Sequence, residues 1–295
     1  MLKFDVFKAV FKQLKGVKIL AVDKNLFLYD LAVVATLYNE GHYVKEWLDY
    51  NLAAGVDHFY LYDHESTDNF KEVLQSYIDA GIVTYTFFPG KAAMFPIYTD
   101  ALEKYKFFCR YISFIDADEF IFPQNNKSIV EVTDEILPDK PYAGGLAINW
   151  NCFGSNHLEK ADYSKGVLER FTRRAANDFE TNNTVKDIVN PRRISYFDCP
   201  HKMNYFEKFF SVNEDGGLVF TLHNAPVTDK KIVINHYYVK SFEEYILRSN
   251  GGDGIYDKNS RSEEKFHEAD RNEIFDDSIL TYYEIQLKQG GRKAA

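Results

Sequence analysis

Apolar residues along this chain alternate between two spacings. The run LAVVATL, residues 31–37, predicts a strand. Residues 41–54 then set Val44, Trp47, Leu48 and Leu52 on one helical face, with Gly55 as a stop. HFYLYD, residues 58–63, reads as a second strand. STDNFKEVLQSYIDAG opens on the cap-forming Ser66, Thr67 and Asp68, repeats Phe70, Val73, Leu74, Tyr77 and Ile78 at helical spacing, and closes on Gly81. VTYTFF makes a third strand. After a loop carrying Pro89, Gly90 and Pro96, a helix over 101–106 leads into the strand YISFID. The order β-α-β-α-β-α-β suits right-handed crossovers and hence a parallel sheet.

Past Pro123 the rhythm loosens. A strand is predicted over 147–153, a polar loop at GSNHLEKADYSKG, a helix over 167–175, strands at 218–222 and 232–238, and a last helix at SFEEYILR. The chain divides into an amphipathic segment over 1–30, a domain over 31–250 with halves meeting at 123, and a lid with a peripheral helix and tail over 251–295. In the first segment Phe4, Phe7, Val10, Phe11 and Leu14 fall at helical spacing among Lys3, Lys8, Lys12, Lys15 and Lys18. Such a helix packs on protein, or lies at an anionic membrane surface.

Composition narrows the class. The 295 residues are 45% hydrophobic and 16% aromatic, enough for a sizeable core. A formal charge of −9 argues against a nucleic-acid partner, which calls for clustered Lys and Arg. Cys109, Cys152 and Cys199 are scattered, with no CxxC pair, and point to a reduced, cytoplasmic setting. No apolar stretch is long enough to span a bilayer.

Chemistry is concentrated where strands end. In an open parallel sheet, ligands bind outside the carboxyl ends of the strands. The first strand runs into Thr36, Tyr38, Asn39 and Glu40, the second into Asp63, His64 and Glu65, and the fourth into FIDADEFIFP, with Asp116, Asp118 and Glu119 inside an apolar run. Ionised carboxylates there need compensation. No glycine-rich phosphate loop follows the first strand, so phosphate charge must be met in another way. D-x-D at a strand end suits Mg2+ or Mn2+, which prefer oxygen ligands, and serves equally as a turn or cap.

FIDADEFIFP, together with VATLYNEGHYVKEWLDYNLAAGVDHFYLYDHESTDNF upstream and INHYYVKSFEEYILR downstream, resembles the GT-A-fold glycosyltransferases of the branch around families 2 and 92. The likeness runs over roughly residues 31–250. It implies an α/β GT-A fold: a Rossmann-like nucleotide-binding half with a mostly parallel central sheet, fused to an acceptor-binding half. It also implies transfer of a sugar from a UDP-sugar to a glycan or lipid-linked acceptor of a surface polysaccharide or lipopolysaccharide, with inversion the first expectation and retention the alternative, and with Mn2+ or Mg2+ held by the D-x-D. Asp116 and Asp118 are then metal ligands, Asp116 also touching the ribose, and Glu119 braces the site or pairs with a basic residue. His236 is the candidate third ligand, ahead of His201 and His223, although a histidine in an aromatic-rich strand also suits a core role. Thr36, Asn39, Glu40 and Asp63 line the nucleoside, with Asp63 alternatively a loop cap.

The acceptor half is less defined. For inversion, a base must lie opposite the leaving diphosphate; the same resemblance implies that it stands near a helix start in the acceptor half, which points to Glu169, with Asp198 next. Glu169 also suits a surface ion pair with Arg173. Trp150, Phe153 and His157 line the acceptor by the same resemblance, or pack in the core. Lys186, Arg192 and Arg193 read as a basic cluster for a diphosphate or as exposed ion pairs. Other functional classes stay open: a silent sugar-nucleotide or carbohydrate-binding protein of this fold, and a sugar nucleotidyltransferase, which calls for the missing glycine-rich loop.

Overall fold

The computed structural model describes residues 26–90, 93–138, 140–249 and 262–290. The amphipathic stretch 1–18, the last five residues of the chain and residues 251–261 of the expected lid therefore lie outside the described residues. The first half follows the predicted order: β1 (Tyr29–Leu37), α1 (Val44–Ala53), β2 (His58–Asp63), α2 (Phe70–Asp79), β3 (Val83–Phe87), α3 (Met94–Tyr105), β4 (Cys109–Phe114). These strands lie in the order β3-β2-β1-β4, all parallel, with Leu37 opposite Asp63 and Asp63 opposite Phe87.

Both faces of this sheet are covered, which is why β1 is apolar throughout rather than alternating. Leu31, Val33 and Ala35 face the side where Trp47 and Leu48 of α1 and Leu74 of α2 are buried. Ala32 and Val34 face the other side, against Ile97, Tyr98 and Ala101 of α3. Gly55, at φ 105°, and Gly81, at φ 71°, end the first two helices in the left-handed conformation that glycine tolerates.

The sheet continues into the second half and becomes mixed. β8 (Val185–Val189) runs antiparallel to β4, and β6 (Ala143–Cys152) antiparallel to β8. After the short strands β9 (Ile194–Tyr196), β10 (Asn204–Tyr205), β11 (Phe210–Val212) and β12 (Leu218–Val219), β13 (Ile232–His236) pairs in parallel with the end of β6 and antiparallel with β5 (Glu119–Pro123). Residues 115–118 thus cross from the parallel half to the β5–β13 ribbon, and Glu119 faces His236 in register. The indole N–H of Trp47 donates to the Glu119 carbonyl at 2.8 Å and the Tyr50 hydroxyl to that of Ile121 at 2.9 Å, fixing β5 beneath α1.

Three elements depart from the sequence reading. α3 begins at Met94, so Pro96 sits in its first turn, where a missing N–H costs nothing. The helix predicted over 167–175 stops after one turn, as α5 (Val167–Arg170), following α4 (Ile129–Ile136); Arg173 and Arg174 then form β7, paired with Ile274–Phe275, which is β14. The Gly154 N–H bonds the Arg173 carbonyl, and the Ala175 N–H the Cys152 carbonyl, so sheet-edge pairing wins over helical spacing. The C-terminal helix is less peripheral than expected. After α6 (Phe242–Ser249) and α7 (Glu263–Ala269), α8 (Ser278–Lys288) buries Ile279 and Tyr282 in the main core, and its Tyr282 and Gln286 donate to the Lys127 and Asn126 carbonyls.

Candidate functional site

The acids of FIDADEFIFP gather at the carboxyl ends of the parallel strands, each facing a cation. Lys186, from β8, is fully buried; its Nζ lies 3.0 Å from Asp116 Oδ2 and 3.5 Å from Glu119 Oε2. Glu119 also accepts the Asp116 N–H at 2.9 Å, which closes the turn between strands. Asp118 looks the other way. Its Oδ2 accepts from Arg248 of α6 at 2.8 Å, with Lys240 Nζ at 3.9 Å, and its Oδ1 lies 3.6 Å from His236 Nε2. Arg248 reaches on to Glu40 Oε1 at 2.6 Å, tying the end of β1 to the same cluster.

Charge and burial set the protonation states. Burial alone would raise the Asp118 carboxyl, but Arg248, then His236 and Lys240, outweigh it and hold it well below the usual carboxylate range. Glu119 goes the other way: burial pushes it up to about 7, against the opposing pull of Lys186. Burial also works against the Lys186 ammonium, yet Asp116 and Glu119 keep its pKa well above the ordinary lysine value. Asp118 is thus a fixed anion.

Other expected residues divide into those at the cluster and those away from it. The Trp150 ring lies 4.1 Å from the His236 ring and 5.1 Å from that of His201, at the edge of the acids. Its buried indole N–H, with Thr36 Oγ1 and Glu119 Oε1, has no hydrogen-bond partner among the described residues. Asn39 and Asp63 border the site but carry scaffold bonds. Asn39, at φ 54°, accepts the Thr67 and Asp68 N–H groups, and Asp63 accepts from Tyr85 and from the Ser66 N–H. The residues read as a helix cap therefore work mainly as a strap between β1 and α2.

The structure does not gather the remaining candidates. Glu169 is exposed and pairs with Lys165 at 2.7 Å rather than with Arg173; Asp198 is exposed and accepts from Asn204. Phe153 is a core residue against the Tyr237 ring, and His157 is exposed in a left-handed turn. Nor is there one basic cluster: Lys186 alone meets the acids, Arg192 donates to the carbonyls of Lys106, Cys109 and Arg110, and Arg193 to that of Ala143. The backbone of these turns needs donors, and the guanidinium groups supply them. His201 stays at the Trp150 edge, neutral because burial first and the charge of Lys186 next push it down to about 2. His223 bridges to Thr184, next to β8, through its backbone.

Arg248 and Lys240 escaped the sequence reading. A signal was present for Arg248, since it stands four positions after the buried Glu244 and so on the inner face of α6.

A divalent cation can be tested against this donor set. No three His, Cys, Asp or Glu side chains converge on one point among the described residues, so Asp116, Asp118 and His236 do not form a closed ligand triad. Asp116 is engaged by Lys186. Asp118 Oδ1 and His236 Nε2, 3.6 Å apart, do suit two positions on one Mn2+ that would take its other ligands from water and phosphate.

The profile of glycosyltransferase family 92 matches residues 31–286, from β1 into α8. The chain belongs to that family. A family 92 protein of Oryza sativa subsp. japonica is 25% identical over 245 residues, covering 82% of this chain and 39% of that protein. One from Ricinus communis is 23% identical over 220 residues, covering 74% and 37%. The chain therefore spans well under half the length of these curated relatives. Among solved structures, S. aureus TarS 1-349 is similar over 88% of this chain and 72% of that one, at 14% identity and a TM-score of 0.41. The Mycobacterium tuberculosis glucosyl-3-phosphoglycerate synthase, solved with Mn2+, UDP and glucosyl-3-phosphoglycerate, is similar over 41% and 44%, at 20% identity and a TM-score of 0.29.

Proposed function

We propose that this family 92 chain transfers a sugar from a UDP-sugar to an acceptor hydroxyl with inversion, and that Asp118 and His236 hold a divalent cation, Mn2+ or Mg2+, for it. The observation that carries this reading is the Asp118 carboxylate 3.6 Å from His236 Nε2 at the carboxyl ends of a parallel sheet, in a chain of family 92. When bound, the cation neutralises charge growing on the leaving diphosphate. The protein's part is to place the donor. Thr36 and Glu40, at the end of β1, border the nucleoside side, and the spare indole N–H of Trp150 binds a sugar or phosphate oxygen. Asp116 is held by Lys186 in the turn that orients Asp118. Glu169 and Asp198, engaged with Lys165 and Asn204, take no part in this assignment.

We further propose a lipid-linked or glycan acceptor, as in surface polysaccharide or lipopolysaccharide synthesis, with the chain working at the cytoplasmic face of a membrane. The lysine-rich pattern of residues 3–18 supports that placement.

The test is turnover across a panel of UDP-sugars with Mn2+, with Mg2+ and after EDTA. The expected result is metal-dependent release of UDP, lowered by at least about a hundredfold in Asp118→Ala. Full turnover in EDTA removes the metal from the reading, and no turnover with any donor leaves a binding protein of the same fold.

A further inference from the structure

Arg248 bridges the D-x-D turn to the end of β1. Its two terminal nitrogens separately hold Asp118 Oδ2, at 2.8 Å, and Glu40 Oε1, at 2.6 Å. Both acidic side chains are nearly sealed, at 5% exposure each, while the Arg248 side chain keeps 27%. The guanidinium is thus a partly exposed charge above two sealed acids, and with the Asp116 side chain, at 34%, it is one of the charges of the cluster that solvent reaches. It uses the Asp118 oxygen that His236 does not face.

Two positive groups cannot share Asp118 without cost. A divalent ion between Asp118 and His236 would stand a few ångströms from both Arg248 and Lys240, in a poorly screened site where like charges repel strongly. An incoming diphosphate removes that conflict, because its oxygens accept the fork of a guanidinium side by side. Arg248 needs only to turn its outer face toward the diphosphate while loosening its hold on Asp118.

We propose that Arg248 is a donor-phosphate ligand that guards Asp118: it neutralises Asp118 and Glu40 in the metal-free protein and passes to the diphosphate when a divalent cation takes Asp118. This rests on the metal-dependent reading above. Its consequence is a coupling between two ligands. Arg248 opposes Mn2+ binding by itself and favours it once nucleotide is present, and by linkage Mn2+ strengthens nucleotide binding by the same factor.

The coupling is measured without turnover. Free Mn2+ is followed by electron paramagnetic resonance as the full chain is titrated, with and without UDP, for wild type, Arg248→Gln and Arg248→Lys, with circular dichroism as the check on folding. Wild type is expected to bind Mn2+ about tenfold more tightly with UDP than without. Arg248→Gln should bind Mn2+ alone several-fold more tightly than wild type and lose most of the gain from UDP, a pair of opposite changes that a merely structural arginine does not produce. Arg248→Lys, which keeps the charge but cannot bridge two carboxylates, should retain only part of the gain, and it decides the question if Arg248→Gln fails to fold.

An undiminished gain from UDP in the folded variants overturns the proposal. So does an Arg248→Gln protein that binds Mn2+ alone no better than wild type. If wild type turns over with Mn2+ while the coupling ignores position 248, only the role of Arg248 falls. If wild type binds no Mn2+ even with UDP, the metal-dependent reading falls and takes this proposal with it.

Discussion

Lys186 is fully buried with its ammonium held between Asp116 and Glu119. Removing one partner of a buried ion pair leaves the other charge without compensation, which costs about 3–5 kcal/mol. Lys186→Met should lower unfolding free energy by that order in urea titrations at pH 7; a change within about 1 kcal/mol would contradict the geometry. Because Glu119 can take up a proton, its carboxyl being raised to about 7 by burial, adding Glu119→Gln should restore part of the loss. At this scale the acids were legible and their partners were not. A carboxylate inside an apolar run announces that something must balance it. The cations come from 70 positions away, in Lys186, and 130 positions away, in Arg248, and no local pattern carries such a pairing.

The elements of the first half were readable because two periods and their stop signals agree: apolar runs for strands covered on both faces, helical spacing closed by Gly55 and Gly81. The segment 167–175 failed for the opposite reason. Its apolar spacing supports a helix, but the backbone of Arg173 and Ala175 is claimed by Gly154 and Cys152, distant residues that offer sheet-edge bonds. Trp47 shows how one side chain joins elements. In Trp47→Phe the ring volume is largely kept while the Glu119 carbonyl loses its donor, so a loss of about 1–3 kcal/mol is expected in denaturant titration. A loss below about 0.5 kcal/mol would mean that another donor reaches that carbonyl.

Across the whole molecule, α8 and two buried titratable groups bear on stability. Deleting residues 278–295 uncovers Tyr50 and Phe122, against whose rings Tyr282 packs, and a clear drop in melting temperature is expected by calorimetry. Burial lowers the His58 imidazole to about 4, so its contribution is complete above the ordinary histidine value and is lost as pH falls from about 6.5 toward 4. Burial raises Asp187 to about 6, against the hydrogen bonds from Ser211 and Tyr205, so the folded state holds the extra proton and stability falls as pH rises from about 4 to 6. The two slopes oppose each other over that window. Asp187→Asn removes one of them, and its stability relative to wild type should climb by on the order of 2–3 kcal/mol between pH 4 and pH 7. A difference that stays constant with pH would place the Asp187 carboxyl near its ordinary value.

What the sequence determined by itself was the parallel α/β half, the edge of the sheet that carries the chemistry, and the acids at its centre. These follow from short-range rules, in which periodicity, caps and the cost of burying a charge act within a few residues. Tertiary structure alone decided how the acids divide. Asp116 and Glu119 went to Lys186, and Asp118 to Arg248 and His236, because β8, β13 and α6 reach the D-x-D turn only after the mixed sheet has brought them beside it.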